Sequence, residues 1–140
     1  MKVMILENET SQIETIKRVL LKKFPCSEID SSNTPYSLFS TAPIFRPEVL
    51  ILDYNFNHYK ITEEKQVMQR LFKFKGLIII YSIHDVSDIK ADMKKRYGLI
   101  PANFRVVSKR EPVKLIKEII DYDNKRQEGF CEIGRAHVWT

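Results

Sequence analysis

Two hydrophobic rhythms alternate along this chain. Continuous apolar runs stand at Lys2–Leu6, at Val49-Leu50-Ile51-Leu52 and at Leu77-Ile78-Ile79-Ile80. Between them, apolar residues return every three or four positions. Ile13, Ile16 and Leu20 mark residues 10–24, and Val67, Met68, Leu71 and Phe72 mark residues 62–75. Ile89, Met93 and Tyr97 mark residues 87–97, and Leu115, Ile116, Ile119 and Ile120 mark residues 112–123. The first rhythm predicts buried strands and the second predicts amphipathic helices. Weaker strands are expected at residues 27–31 and Phe104–Ser108. A short helix is expected to open at Thr34-Pro35, with Pro43 and Pro47 bounding it. Ser11 and Glu14 have the spacing of a capping box, Pro25 stops the first helix, and Gly76 and Gly98 follow later ones.

Five strands therefore alternate with five helices. Strands apolar throughout imply a sheet covered on both faces, and strict β–α alternation implies a parallel sheet with right-handed crossovers. The expected fold is α/β, a three-layer doubly wound sandwich. The length of 140 residues suits one domain, placed at residues 1–126, with a tail at 127–140. The segment from Glu132 to Thr140 shares no pattern with the rest. It reads like a translated sequencing-library adapter, with Trp139 from a TGA codon, and is expected to be non-native and functionless. On that reading the natural chain continued past about residue 131.

Composition narrows the function classes. No apolar run approaches the ~18 residues of a membrane span. Glu7 comes too early for a signal peptide, and Cys26 and Cys131 are too few for a disulfide scaffold. A reducing cytoplasm is the expected location. The net charge is +5, but the lysines are scattered, as at Lys22-Lys23, Lys94-Lys95 and Lys109-Arg110. This spread argues for solvated helix faces rather than direct nucleic-acid binding. The four glycines form no phosphate-cradling loop, and no Gly-x-Ser-x-Gly elbow exists.

In open parallel sheets, ligand chemistry gathers outside the carboxyl ends of the strands. Here those ends carry Glu7-Asn8-Glu9, Asp53, Ser82 and Ser108-Lys109 on the first, third, fourth and fifth strands. Each has an ordinary reading as a polar residue where a strand surfaces. Together they suit phosphoryl transfer onto a carboxylate. Asp53 would be the nucleophile, and Glu7 and Asn8 would help hold a hard divalent cation. Lys109 would pair with phosphate oxygens, and Ser82 would donate a hydrogen bond to them.

Over residues 1–125 the sequence resembles a receiver domain of two-component response regulators. The resemblance rests on Val3-Met-Ile-Leu-Glu-Asn-Glu9, Pro47-Glu-Val-Leu-Ile-Leu-Asp53, Leu77-Ile-Ile-Ile-Tyr-Ser82 and Val106-Val-Ser-Lys109, with Pro112 opening the last helix. It implies a CheY-like, flavodoxin-like sheet of order 2-1-3-4-5. It implies a phosphoprotein, phosphorylated on Asp53 by a sensor histidine kinase with Mg²⁺. The metal would be held by Glu7, Asn8, Asp53 and the backbone carbonyl of Asn55. Ser82 and Lys109 would bind the phosphoryl group, and the state would pass to an output domain or protein partner. A face bearing Ile89, Lys90, Met93 and Lys94 would serve docking or homodimerisation. The domain would be a switch, not an enzyme.

Several positions depart from the family pattern. Asn8 replaces the second acid, which weakens the metal site. Tyr54-Asn-Phe-Asn-His-Tyr-Lys60 lacks the usual Met-Pro and Gly. Ile83 is large where a small residue is usual, Val106 stands at the aromatic switch position, and Leu99-Ile-Pro-Ala-Asn103 looks inserted. These departures support an alternative, a degenerate receiver acting as a phosphate-independent interaction module. A third reading, a haloacid-dehalogenase-like phosphatase, needs a second acid where Asn55 stands, on the first strand rather than the third.

Overall fold

The computed structural model describes residues 1–56 and 58–139, with side chains as far as Arg126. In chain order the elements are β1 (Lys2–Leu6), α1 (Thr10–Lys23), β2 (Glu28–Ser32), α2 (Pro35–Phe45) and β3 (Val49–Leu52). There follow a small hairpin of β4 (Asn55–Phe56) and β5 (Tyr59–Lys60), a 3₁₀ turn (Ile61–Glu63) and α3 (Lys65–Lys73). The chain continues through β6 (Leu77–Ser82), α4 (Val86–Tyr97), β7 (Phe104–Ser108) and α5 (Pro112–Trp139). The main sheet has the order β2-β1-β3-β6-β7, and every pair in it is parallel. With β6 and β7 as its fourth and fifth strands, this is the expected 2-1-3-4-5 order.

Side chains alternate across a strand, so each central strand feeds two cores. Met4, Leu6, Leu50, Leu52, Ile78 and Ile80 meet Leu38 of α2, Met68 and Leu71 of α3, and Ile89 and Met93 of α4. Val3, Ile5, Val49, Ile51, Leu77 and Ile79 meet Ile16 and Leu20 of α1 and Leu115 and Ile119 of α5. Burying each such side chain contributes about 1.5–3 kcal/mol. The sheet is thus held from both sides, as its unbroken apolar strands require.

Some local expectations need correction. The capping box at Ser11 does not form. The N-cap of α1 is Glu9, whose carbonyl accepts from the Gln12 and Ile13 N–H groups, and Ser11 already lies inside the helix. The turn comes early because the Glu7 carboxylate accepts the Asn8 and Glu9 N–H groups, both at 3.2 Å. Thr34 does cap α2, accepting from the Ser37 N–H at 3.1 Å, with Pro35 at the helix start. Pro43 lies within α2 rather than bounding it, and Arg46 ends that helix in the left-handed region.

The helix expected over 62–75 is shorter, because residues 61–63 wind into the 3₁₀ turn first. Gly98 closes α4 with φ of 80°, a conformation that suits glycine. The last helix runs past Asp123. Arg126 pairs with Glu48, just before β3, and with Asp123 at 2.8 Å, which fastens the next turn to the sheet. The proposed foreign origin of 132–140 lies outside the described side chains.

Candidate functional site

The parallel ladder does not stop with the strands. The Glu7 N–H donates to the Ser32 carbonyl at 3.1 Å, the Asp53 N–H to Leu6 at 3.1 Å, and the Lys109 N–H to Ser82 at 2.7 Å. Each bond carries the pairing one residue past a strand and fixes the backbone of a site residue. Glu7, Asp53, Ser82 and Lys109 therefore emerge at the same sheet edge, as the sequence predicted.

The Lys109 ammonium stands between two carboxylates, 3.0 Å from Glu7 Oε2 and 3.6 Å from Asp53 Oδ2. The Glu7 and Ser82 residues are 3% and 0% exposed. Asp53 keeps 15% of its side chain in contact with solvent, enough for a small reactant to reach it. Burial raises the Asp53 carboxyl, Lys109 pulls it down and Glu7 pushes it up; the balance is about 6. The Asp53 carboxyl is thus mostly ionised at neutral pH. The Ser82 hydroxyl accepts the His84 N–H at 3.1 Å, which leaves its hydrogen directed elsewhere.

No family model and no curated protein matches the chain. Solved structures do. The N-terminal domain of an uncharacterized protein from Wolinella succinogenes aligns with a TM-score of 0.69 at 17% identity, covering 92% of this chain and 98% of that one. A CheY-like response regulator receiver domain protein from Methanospirillum hungatei gives 0.67 at 14% identity, covering 91% and 97%. The RcsB response regulator of Salmonella typhimurium gives 0.69 at 16% identity, with 89% of this chain matched to 60% of that one. The chain has the receiver-domain fold. At these identities the likeness is one of fold, and the chemistry rests on the residues themselves.

In this receiver fold Glu7 has a task beyond the one expected. Oε1 accepts two backbone N–H groups and Oε2 accepts Lys109, so the carboxylate fixes Lys109 rather than standing open to a metal. Asn8, beside it, is exposed. Among the described residues no group of three His, Cys, Asp or Glu side chains is placed to hold a metal ion. The groups that would hold one are the Asp53 carboxylate, the Asn55 carbonyl and the Asn8 amide oxygen. One carboxylate with neutral oxygens suits a magnesium ion that keeps its waters and arrives with a phosphate.

The expected partner face divides. Lys90 and Lys94 are exposed, but Ile89 and Met93 are both 0% exposed and belong to the core under α4. The helical period alone separates the two pairs, so a docking face cannot contain all four. Lys90 does line an open groove of about 830 Å³ between α4 and α5, with Val106, Arg110, Lys114 and Lys117. Ile83 borders the same groove and is 63% exposed.

Sequence reasoning missed a polar cluster beside the site. Tyr54, directly after Asp53, is 3% exposed, and its hydroxyl donates to Asp92 Oδ2 at 2.6 Å. The Thr62 hydroxyl donates to the same oxygen, and Arg96 Nε donates to Oδ1 at 2.7 Å. The Tyr97 hydroxyl donates to the Thr62 carbonyl at 2.6 Å. Burial and the Asp92 hydrogen bond push the Tyr54 phenol up to about 12. Burial opposes ionisation of Asp92, but bonds from Thr62, Tyr54 and Arg96 outweigh it and hold the carboxyl below its usual range. The His84 ring meets Tyr54 edge-on at 5.8 Å and contacts the Asn55 amide. The only sequence signal was the i, i+4 spacing of Asp92 and Arg96.

Proposed function

We propose that the chain is a phosphoaspartate switch that takes its phosphoryl group from a sensor histidine kinase and hands the resulting state to an output domain or protein partner. The observation that carries this reading is the Lys109 ammonium held by buried Glu7 within 3.6 Å of the Asp53 carboxylate. A carboxylate oxygen of Asp53 attacks the phosphorus of a kinase phosphohistidine. The P–N bond breaks, and the departing imidazole nitrogen takes its proton from solvent. Lys109 turns from carboxylate to phosphoryl oxygens, and the Ser82 hydroxyl donates to another. Asp53, the Asn55 carbonyl and Asn8 are the groups that would hold Mg²⁺, which when bound neutralises phosphoryl charge. The low acid count makes that affinity weak. No described helix is long and apolar enough to cross a membrane.

Acetyl phosphate, or beryllofluoride with Mg²⁺, tests this on the full chain in a phosphoprotein-retarding gel and by amide NMR. A Mg²⁺-dependent shift that is lost in Asp53→Asn is the expected result. A second reading, a phosphate-independent interaction module, is favoured by the engaged Glu7 carboxylate and by Asn8. A folded protein with neither adduct nor beryllofluoride response would establish it instead.

A further inference from the structure

The polar cluster at Asp92 joins two parts of the chain that receive different information. One part is the segment Asp53-Tyr54-Asn55, which carries the phosphoacceptor. The other is α4, which forms one wall of the open groove. We propose that Asp92 is a latch by which the Asp53 segment holds α4, so that a change at Asp53 alters how firmly α4 is fastened. The inference rests on the proposed role of Asp53 for its input, and the test below separates the two.

The geometry gives the latch three properties. It is stiff on the input side. Asp53 is pinned to Leu6 through its N–H, and the Tyr54 carbonyl accepts the Ile61 N–H at 2.7 Å. The phenol, on a residue 3% exposed, is held between this fixed backbone and Asp92. It is also singular on the output side. Tyr54 and Thr62 both converge on one oxygen of Asp92, so a shift of either alters the same carboxylate. Finally, Asp92 is partly shielded, with 15% of its side chain exposed, while Arg96 and Glu63 lie at the solvent margin. A shielded carboxylate that loses its donors is not readily repaired by water. An arrangement made only to satisfy the buried Tyr54 hydroxyl would need one acceptor. This one also gathers the turn before α3.

Hydrogen exchange on the full chain tests the latch. Protection of the α4 amides is measured in the natural sequence, Asp53→Asn, Asp92→Asn and the double variant. Tyr54→Phe, alone and with Asp53→Asn, repeats the comparison with the ring retained, should Asp92→Asn fail to fold. Arg96→Gln is the control, because it removes the outer bond to Asp92 and spares the link to Tyr54. Relative to the β1 and β3 amides, which report any global change in stability, Asp53→Asn is expected to change α4 exchange at least fivefold in the natural and Arg96→Gln backgrounds. The change should fall below twofold when Asp92 or Tyr54 is altered. An equal response in all backgrounds, or no response of α4 to Asp53→Asn, overturns the latch. If beryllofluoride with Mg²⁺ leaves every amide unchanged while Asp53→Asn still acts through Asp92, the phosphoswitch reading fails and the latch stands.

Discussion

Asp53 and Lys109 make opposite demands on stability. The unfolded Asp53 carboxyl titrates near 3.8 and the folded one near 6, so between these values the folded state holds the extra proton. The stabilising contribution of protonated Asp53 is full below about pH 4 and is lost as pH rises through 6. Asp53→Asn is therefore expected to stabilise the fold at pH 7, by up to about 3 kcal/mol from the size of the shift. The gain should vanish near pH 4, and urea titrations at both pH values check this. Lys109→Met should do the reverse. It leaves Glu7, 3% exposed, without its cation. Breaking such a buried pair costs about 3–5 kcal/mol. Adding Glu7→Gln should recover most of that loss in thermal melts. Because Lys109 lowers the Asp53 carboxyl, the same substitution should move its NMR titration midpoint above 6.

At the scale of elements, two glycines at helix–strand junctions separate conformational from steric need. Gly98 ends α4 at φ of 80°, and a Cβ there meets nothing within 4 Å. Gly98→Ala should cost about 1 kcal/mol, the strain of the left-handed region alone. A Cβ at Gly76 would lie 2.2 Å from the Glu48 carbonyl oxygen, which accepts the Leu77 N–H. Gly76→Ala must push β6 from β3 and should cost several times more; chemical denaturation of the two variants ranks them. The sequence showed both as helix ends but not this difference, because close approach depends on a strand distant in the chain. The hairpin of β4 and β5 was illegible for a related reason. Two-residue strands leave no period to read. The long helices and buried strands were legible because their periods extend over several turns or a whole apolar run. The partner face failed where it mixed residues that this period divides. Asn103, in the stretch that looked inserted, donates to the Phe74 and Gly76 carbonyls at 3.0 and 2.8 Å. It ties the loop before β7 to the loop before β6, a joint that no local spacing announced.

For the molecule as a whole, the alternation of β1, β3 and β6 between two cores makes one sheet the shared wall of both. Leu50 and Ile51 are neighbours that face opposite layers. Leu50→Ala and Ile51→Ala should each cost about 2–5 kcal/mol, and unfolding should remain one transition by circular dichroism and tyrosine fluorescence. The four strand-end residues were readable because the fold itself carries them to one edge. The Tyr54–Asp92 link was not, because 38 residues separate its members and neither is unusual alone.

The sheet also has two open sides. β2 at one border reads Glu-Ile-Asp-Ser-Ser, and β7 at the other reads Phe-Arg-Val-Val-Ser. A bare border of unpaired amides and carbonyls invites another chain to add itself. Glu28 and Asp30 on one side and Arg105 on the other place charge along these border strands, of which β7 otherwise has a β-forming sequence. Arg105 is further anchored, 3.1 Å from Glu118. Replacing Glu28 and Asp30 with valine should leave the monomer's secondary structure intact and yet raise light scattering and thioflavin binding on mild heating. That outcome would assign these side chains the task of keeping the domain from self-association into fibres, a hazard set by its borders and not by its core.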